Sequence, residues 1–236
     1  MTLRIATYNI RKCLGTDRRR DAQRTLRVIE RLDADIVMLQ EADMRLGHRP
    51  PAFSPHLLQA HGLRHVAFDH GRDSLGWHGN AILIRDEIEV LSTDHADLPG
   101  FEPRGAVLAE LRYKGRDIRA IGVHLGLLRR SRRAQLTALQ QFSRHDDAKP
   151  TVLAGDFNEW FGAAHLTAMG TALRLLPAPP TFHARRPVVA LDRIAVTHHF
   201  ESHGVAAALT HDTRRASDHL PLVATLRDLK APVDRG

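Results

Sequence analysis

The chain has 236 residues and a formal net charge of +7, and 43% of its residues are hydrophobic. These fractions are typical of a globular protein, and the single cysteine, Cys13, excludes an internal disulfide. No apolar stretch is long enough to span a bilayer, so a transmembrane helix is also excluded.

The basic balance favours polyanionic partners, namely nucleic acid, an anionic lipid surface or phosphorylated metabolites. Met1 to Ile5 shows no apolar segment of the kind found in signal peptides, so we expect a cytoplasmic protein, and a monomer. Cys13 follows two basic residues that would lower its pKa, although a half-buried small residue is the simpler interpretation.

The first part of the chain predicts a strand, a helix and a second strand. Leu3 to Ile10 and Asp35 to Leu39 are apolar runs, and Gln23 to Leu32 has apolar residues spaced for one helical face. If the two strands are parallel neighbours, Asn9 and Glu41 lie at the same edge of one sheet, where α/β proteins bind ligands.

The middle of the chain predicts a loop, a short helix and several antiparallel strands. Met44 to Pro55 is the loop, and Ser54-Pro55 begins a short helix that ends at His61. Strands that follow one another directly cannot all be parallel. The predicted strands are Val66 to Phe68, Asn80 to Ile84, Ile88 to Leu91, Gly105 to Leu111 and Ile118 to His124.

The last part predicts a long helix and further strands. Leu128 to Phe142 is helical, and its basic start opposes the helix dipole, so these arginines are either anion contacts or a solvated face. Ala163 to Leu176 is predicted mostly helical and Arg214 to Asp218 a loop. The remaining predicted strands are Thr151 to Asp156, Leu191 to Val196, Gly204 to Leu209 and Pro221 to Leu226. We expect one domain over residues 1–228 and a frayed tail over 229–236.

Ten polar residues lie at the predicted strand ends. Each alone has an ordinary structural explanation, such as a solvated carboxylate, a core histidine or a surface ion pair. Together, carboxylate and amide oxygens suit a divalent cation, histidines suit proton transfer, and arginine suits phosphate oxygens. The ten are Asn9, Glu41, Asn80, Arg104, His124, Asp156, Asn158, Asp192, Asp218 and His219.

Seven motifs in order resemble the endonuclease/exonuclease/phosphatase superfamily, and they are most similar to its small bacterial members. The motifs are Thr7-Tyr-Asn-Ile10, Leu39-Gln-Glu41, His78-Gly-Asn-Ala81, Val123-His-Leu125, Gly155-Asp-Phe-Asn158, Leu191-Asp-Arg-Ile194 and Ser217-Asp-His-Leu-Pro221. The resemblance implies an α/β fold, a four-layer α/β/β/α sandwich in which two mixed sheets pack face to face between outer helices.

The resemblance also implies roles for the ten residues. Glu41 is the principal ligand of Mg²⁺, or of Mn²⁺, with Asn9 beside it and Asp218 contributing. His219 is the general base and is held by Asp192. The other five act on the phosphate and the water: Asp156 and Asn158 orient both, His124 stabilises or protonates the phosphoryl oxygens, and Arg104 and Asn80 bind substrate.

We therefore predict a metal-dependent phosphodiesterase that hydrolyses a phosphate ester, with DNA or RNA as the first candidate substrate. A lipid-headgroup phosphodiesterase, a phosphomonoesterase and a basic nucleic-acid-binding module without catalysis are the alternatives. The histidine at position 124 makes the chain more similar to the DNase and sphingomyelinase branches than to abasic-site endonucleases.

Overall fold

A computed structural model describes residues 1–44, 49–68, 74–143 and 149–229, and within these ranges the chain forms twelve strands and three α-helices. The helices are α1 (Ala22–Arg31), α2 (Arg129–Phe142) and α3 (Thr213–Ala216). Three short 3₁₀ segments, Arg11–Cys13, Pro55–His61 and Ala163–Met169, lie between these elements. The strands are β1 (Thr2–Asn9), β2 (Ile36–Gln40), β3 (Leu63–His65), β4 (Ala81–Arg85), β5 (Glu89–Leu98), β6 (Arg104–Tyr113), β7 (Arg116–His124), β8 (Thr151–Asp156), β9 (Arg174–Leu175), β10 (Asp192–Val196), β11 (Phe200–Ala207) and β12 (Leu222–Asp228).

The strands form two mixed sheets of six strands each. The first sheet has the order β11-β12-β1-β2-β4-β3, and the second has the order β5-β6-β7-β8-β10-β9. In each sheet one central pair is parallel, β1 with β2 and β7 with β8, and the other pairs are antiparallel. A helix follows the first strand of each parallel pair, since a parallel return needs a crossover connection.

Alternation along the strands creates the layers. In β1 and β2, Ile5 and Met38 point into the core between the two sheets, whereas Tyr8 and Leu39 point to the outer face of the first sheet. The apolar side of α1 covers that outer face, and α2 covers the outer face of the second sheet through Leu136. The predicted four-layer α/β/β/α sandwich is therefore confirmed.

Three predicted elements differ from the structure. The residues 66–68 are not a strand, and the neighbouring Leu63–His65 pairs with β4 instead. The segment 163–176 holds a 3₁₀ turn that ends at Gly170, whose φ of 81° continues no helix, and then the strand β9. The predicted loop 214–218 begins inside α3. Short apolar runs do not distinguish a strand from an irregular segment, which accounts for the first two differences.

Two further expectations concern the chain's ends and its cysteine. Of the predicted tail, residues 230–236 lie outside the described residues. Cys13 is buried, and burial raises the pKa of its thiol to about 11, so the lowered pKa considered from the sequence is wrong.

Within the described residues, no helix is long and apolar enough to cross a membrane.

Candidate active site

Strand register places the predicted residues of the first sheet at one edge. Asn9 of β1 aligns with Gln40 of β2, so Glu41 follows at the same level. The chain then enters β12 antiparallel to β1, which places Asp218 and His219 near Asn9. The Ser217 hydroxyl donates a hydrogen bond of 2.6 Å to the Asn9 carbonyl and joins these two segments.

The second sheet contributes from the same edge. Asp156, the last residue of β8, aligns with His124 of β7 and with Asp192 of β10. Gly155 precedes it, and a Cβ there would lie 1.9 Å from the Val123 carbonyl oxygen. Glycine is therefore required by the close approach of the two strands.

Asp156 is the centre of the polar network. Its Oδ2 accepts a hydrogen bond of 3.0 Å from the Asn9 amide and lies 3.4 Å from His124 Nε2 and 3.7 Å from His219 Nε2. The carboxyl is 1% exposed, and burial raises its pKa to about 6, against the opposing charge of His219. Asp156 therefore connects the two histidines in a site shielded from water.

His219 and Asp192 form a buried pair. His219 Nδ1 lies 2.9 Å from Asp192 Oδ2, which leaves Nε2 facing Asp156. Burial lowers the pKa of His219, but the charges of Asp192 and Asp156 outweigh it and raise the pKa to about 10. With these two carboxylates beside it, the His219 imidazole carries a proton at neutral pH.

Asn158 reaches the cleft through a turn. Asn158 has a φ of 50°, a left-handed conformation that asparagine tolerates. Its backbone N–H donates to Asp156 Oδ1 at 2.9 Å, and its side-chain amide donates to the Leu125 carbonyl at 2.9 Å. The Asp156 and Asn158 side chains line the same cleft.

The residues predicted to hold a metal each have a polar partner. Glu41 forms an ion pair with Lys12, and Asp218 lies 3.3 Å from the Arg11 guanidinium. Asn9 accepts a hydrogen bond from the Arg11 backbone N–H through its side-chain oxygen. The donor set is two carboxylates and an amide oxygen, and both carboxylates already attract positive charge, so these residues fit a hard divalent cation.

A second group of possible metal ligands is more deeply buried than Glu41 and Asp218. Atoms of Asp156, Asp192 and His219 all lie within 4.8 Å of one another. The protonated His219 already balances one of the two carboxylate charges, and its Nδ1 is held by Asp192. The more exposed oxygens of Glu41 and Asp218 are therefore the better fit to a hydrated cation.

Arg104 and Asn80 occupy different environments. Arg104 donates to Glu102 at 2.7 Å and 3.1 Å, which fixes its guanidinium in the cleft beside Glu41 and His124. Asn80 is fully buried, and its amide donates to the Gly105 carbonyl at 2.8 Å and to the Trp77 carbonyl at 3.1 Å. In this geometry we propose that Asn80 positions β4 against β6 instead of contacting the substrate.

The structure adds residues that sequence reasoning did not place in the site. Lys12 and Arg11 pair with the predicted metal ligands, and their closeness to Asn9 in the sequence was the available signal. Phe182 packs against the His219 ring with centroids 5.0 Å apart, and Trp160 packs on Phe182. No sequence signal marked Phe182, because it reaches the cleft only through the loop before β10. All four line a cleft of about 530 Å³.

Comparison with known proteins agrees with this architecture. A sequence model described as the Endonuclease/Exonuclease/phosphatase family matches residues 6–219. The chain is 31% identical over 246 residues to the uncharacterized protein YbhP of Escherichia coli (strain K12), covering 95% of this chain and 96% of that protein.

Two solved structures show how broadly the fold is used. A mannosyl-6-phosphatase from Bacteroides thetaiotaomicron has a TM-score of 0.73 and 18% identity, covering 95% of this chain and 99% of that chain. D. rerio TDP2 in complex with a single strand DNA product has the same TM-score and 18% identity, covering 96% and 99%. At this identity the likeness shows the fold alone.

Proposed function

Because the chain belongs to the endonuclease/exonuclease/phosphatase family, we propose that it is a metal-dependent hydrolase that cleaves a phosphodiester by attack of water. Membership of this family of phosphate-ester hydrolases gives the reaction class. The single observation that carries the proposal for this chain is the buried series Asp192, His219 and Asp156, in which His219 and Asp156 line the cleft and Asp192 lies behind His219.

His219 is the proposed base. Asp192 holds Nδ1 and so directs Nε2 towards the space where water and phosphate meet. In the reaction, the water oxygen forms a bond to phosphorus, the bond from phosphorus to the leaving oxygen breaks, and the proton of the water passes to Nε2. Only the unprotonated imidazole can accept this proton, so the raised pKa predicts an enzyme that is most active above neutral pH.

Two other side chains act on the phosphate, and a third residue orients Asp156. Arg104 presents a guanidinium held by Glu102, which suits the non-bridging oxygens as charge builds on them. His124, close to Asp156, donates to a phosphoryl oxygen or to the leaving oxygen. Asn158 keeps Asp156 oriented through its backbone N–H.

Asn9, Glu41 and Asp218 would hold a divalent cation, with Mg²⁺ first and Mn²⁺ as the alternative. Such a cation supplies positive charge that stabilises a pentavalent phosphorus centre. Lys12 and Arg11, which pair with Glu41 and Asp218, would then be available to contact the substrate phosphate.

The substrate class is the least determined part of the proposal. The net charge favours nucleic acid, which was the first candidate from the sequence, with a lipid headgroup and a phosphomonoester as the alternatives. A catalytically inactive binding module is disfavoured by the complete buried set of Asp192, His219 and Asp156, which serves no purpose in simple charge attraction.

A substrate panel with and without metal tests the proposal. Plasmid DNA, single-stranded DNA, RNA, phospholipids, inositol phosphates and a soluble aryl phosphodiester should be assayed in Mg²⁺, in Mn²⁺ and in EDTA. We expect turnover of at least one compound that is lost in EDTA and in His219→Asn. The matched control is His203→Asn, a surface histidine paired with Glu201, which should keep full activity. Equal activity of the two variants would refute the proposed base.

A further inference from the structure

Exposed apolar side chains cluster beside the cleft. Nine large hydrophobic residues are exposed in the described ranges, and five of them lie on three neighbouring loops. Single exposed apolar residues are ordinary, whereas a group of them on one surface marks an interaction site. We call these five the apolar rim, and they are Phe101, Leu127, Leu128, Trp160 and Phe161.

Buried hydrogen bonds hold the three loops together. Arg132 donates to the Leu127 carbonyl at 2.6 Å and to Glu159 at 2.9 Å, and both charged side chains are almost fully buried. The other oxygen of Glu159 accepts from the Phe161 backbone N–H at 2.8 Å. Fixed backbone therefore presents the apolar side chains to solvent.

The first loop joins the same assembly through Glu102. Its Oε1 accepts from the Leu127 backbone N–H at 2.8 Å, and its Oε2 pairs with Arg104 in the cleft. Trp160 and Leu127 line the cleft as well as the rim. The apolar rim is thus one edge of the cleft mouth.

Positive charge borders the rim. Arg129, Arg130 and Arg133 begin α2 directly after Leu128, and all three are exposed. None of the three has an ion-pair partner within the part of the chain that the structure describes. The two acidic residues adjacent to the rim in sequence are both paired with arginine, Glu102 with Arg104 and the buried Glu159 with Arg132. This surface therefore combines apolar contact with unpaired cationic charge.

We propose that the apolar rim and its arginines bind an anionic phospholipid bilayer. Leucine and phenylalanine side chains insert among acyl chains, a tryptophan fits the interfacial region, and arginines attract the anionic headgroups. Nucleic acid fits this surface less well, because the two leucines cannot stack on bases in the way aromatic residues do. When the rim is bound in this way, the cleft mouth faces the headgroup phosphates. The meaning of this orientation for catalysis rests on the proposed function.

Vesicle co-sedimentation tests the surface without any catalysis. We expect the wild-type chain to bind vesicles of phosphatidylglycerol more tightly than vesicles of phosphatidylcholine. Leu128→Glu and Phe161→Glu should each weaken the binding by at least about tenfold, since each replaces an exposed apolar group that the bilayer would bury with a negative charge. The matched control is Leu229→Glu. Leu128 and Leu229 are both 52% exposed, but Leu229 lies at the opposite end of the sandwich, next to Met1.

The salt dependence of binding and the identity of the bound partner distinguish a lipid bilayer from nucleic acid and from a second copy of the chain. Raising the salt should weaken vesicle binding only in part, because screening removes the arginine contribution and leaves the apolar one. Three outcomes would overturn the inference: no binding to phosphatidylglycerol vesicles, equal binding by Leu128→Glu and Leu229→Glu, or a dimer in sedimentation velocity that Leu128→Glu dissociates. Binding to DNA with a steep salt dependence, lost in Leu128→Glu, would assign the surface to nucleic acid instead.

Two further variants keep this test independent of the proposed function. His219→Asn should bind phosphatidylglycerol vesicles like the wild type, because His219 is 5% exposed on the floor of the cleft. Leu128→Glu should hydrolyse a soluble aryl phosphodiester at the wild-type rate, since Leu128 is not among the residues that line the cleft. Loss of vesicle binding in His219→Asn would overturn the assignment of the rim, whereas a complete absence of turnover would refute only the proposed function.

Discussion

The Asp192→Asn substitution tests the proposed base through its pKa. Asp192 is fully buried, its Oδ2 lies 2.9 Å from His219 Nδ1, and its Oδ1 has no partner within the described residues. Asparagine is close in size and can accept the same hydrogen bond through its oxygen. The substitution therefore removes the charge and keeps the size of the side chain, while the hydrogen bond that orients the ring becomes weaker.

The expected shift follows from the strength of that contact. A hydrogen bond to a charged partner contributes about 1.5–3 kcal/mol, and one pKa unit corresponds to about 1.4 kcal/mol, so the pKa of His219 should fall by about 1–2 units. It remains above the ordinary value, because Asp156 still lies 3.7 Å from Nε2. The acid limb of kcat/KM should move to lower pH by the same amount. The plateau should fall by about 10²-fold to 10⁴-fold, since the base is weaker and less well oriented.

A pH–rate profile at saturating Mg²⁺ provides the measurement. A bound cation lowers the pKa of His219 in both proteins, so the difference between their acid limbs reports Asp192. Glu201→Gln is the control, because Glu201 pairs with His203 on the surface, and its profile should match the wild type. If neither the limb nor the plateau moves in Asp192→Asn, His219 is not the base, and His124 becomes the first candidate.

Stability gives an independent check that needs no substrate. The folded-state pKa of His219 is raised to about 10 from 6.5, so its contribution to stability is complete below about pH 6.5 and is lost as the pH rises through 10. The loss of unfolding free energy in Asp192→Asn, measured by urea denaturation, should therefore shrink between these pH values. A loss that is constant over this range would contradict the assigned charge state.

The remaining predictions concern the cation, the phosphate and the loop framework. Glu41→Gln should abolish the stabilisation by Mg²⁺ in thermal unfolding and nearly all turnover while the circular dichroism spectrum stays unchanged; full activity in this variant would refute the metal site. Arg104→Ala should reduce kcat/KM by the equivalent of about 2–4 kcal/mol, and an unchanged value on every substrate would show that Arg104 does not contact phosphate. Glu159→Gln should destabilise the fold by about 3–5 kcal/mol in urea, because it leaves Arg132 buried and unpaired, and a loss below 1 kcal/mol would show that this pair does not hold the loops.

Much of the fold followed from periodicity in the sequence. Short apolar runs such as 3–10 and 118–124 predicted strands, and the spacing of Leu26, Ile29 and Leu32 predicted α1. These patterns arise from local backbone geometry, so they need no knowledge of the partners. The packing of two sheets face to face came only from the resemblance of the motifs, because periodicity does not state which apolar faces meet.

The site residues were also visible as polar groups at strand ends, but their contacts were not. The position of Asp156 between two histidines depends on the register of β8 with β7 and β10. Register is a property of paired strands that are far apart in the sequence, and a slip of one residue would reverse the side-chain directions. Sequence reasoning could therefore name Asp156 and could not place it at the centre of the network.

The sequence alone determined which elements form and which polar residues follow them, because both depend on neighbours within a few positions of the chain. Only the tertiary structure decided the charge states and the exposed surface. The pKa of His219 is set by two carboxylates from other strands, and Arg132, which looked like one more basic residue at a helix start, is buried against Glu159. Burial and electrostatic potential depend on everything that surrounds a group in space, and no local pattern in the chain contains that information.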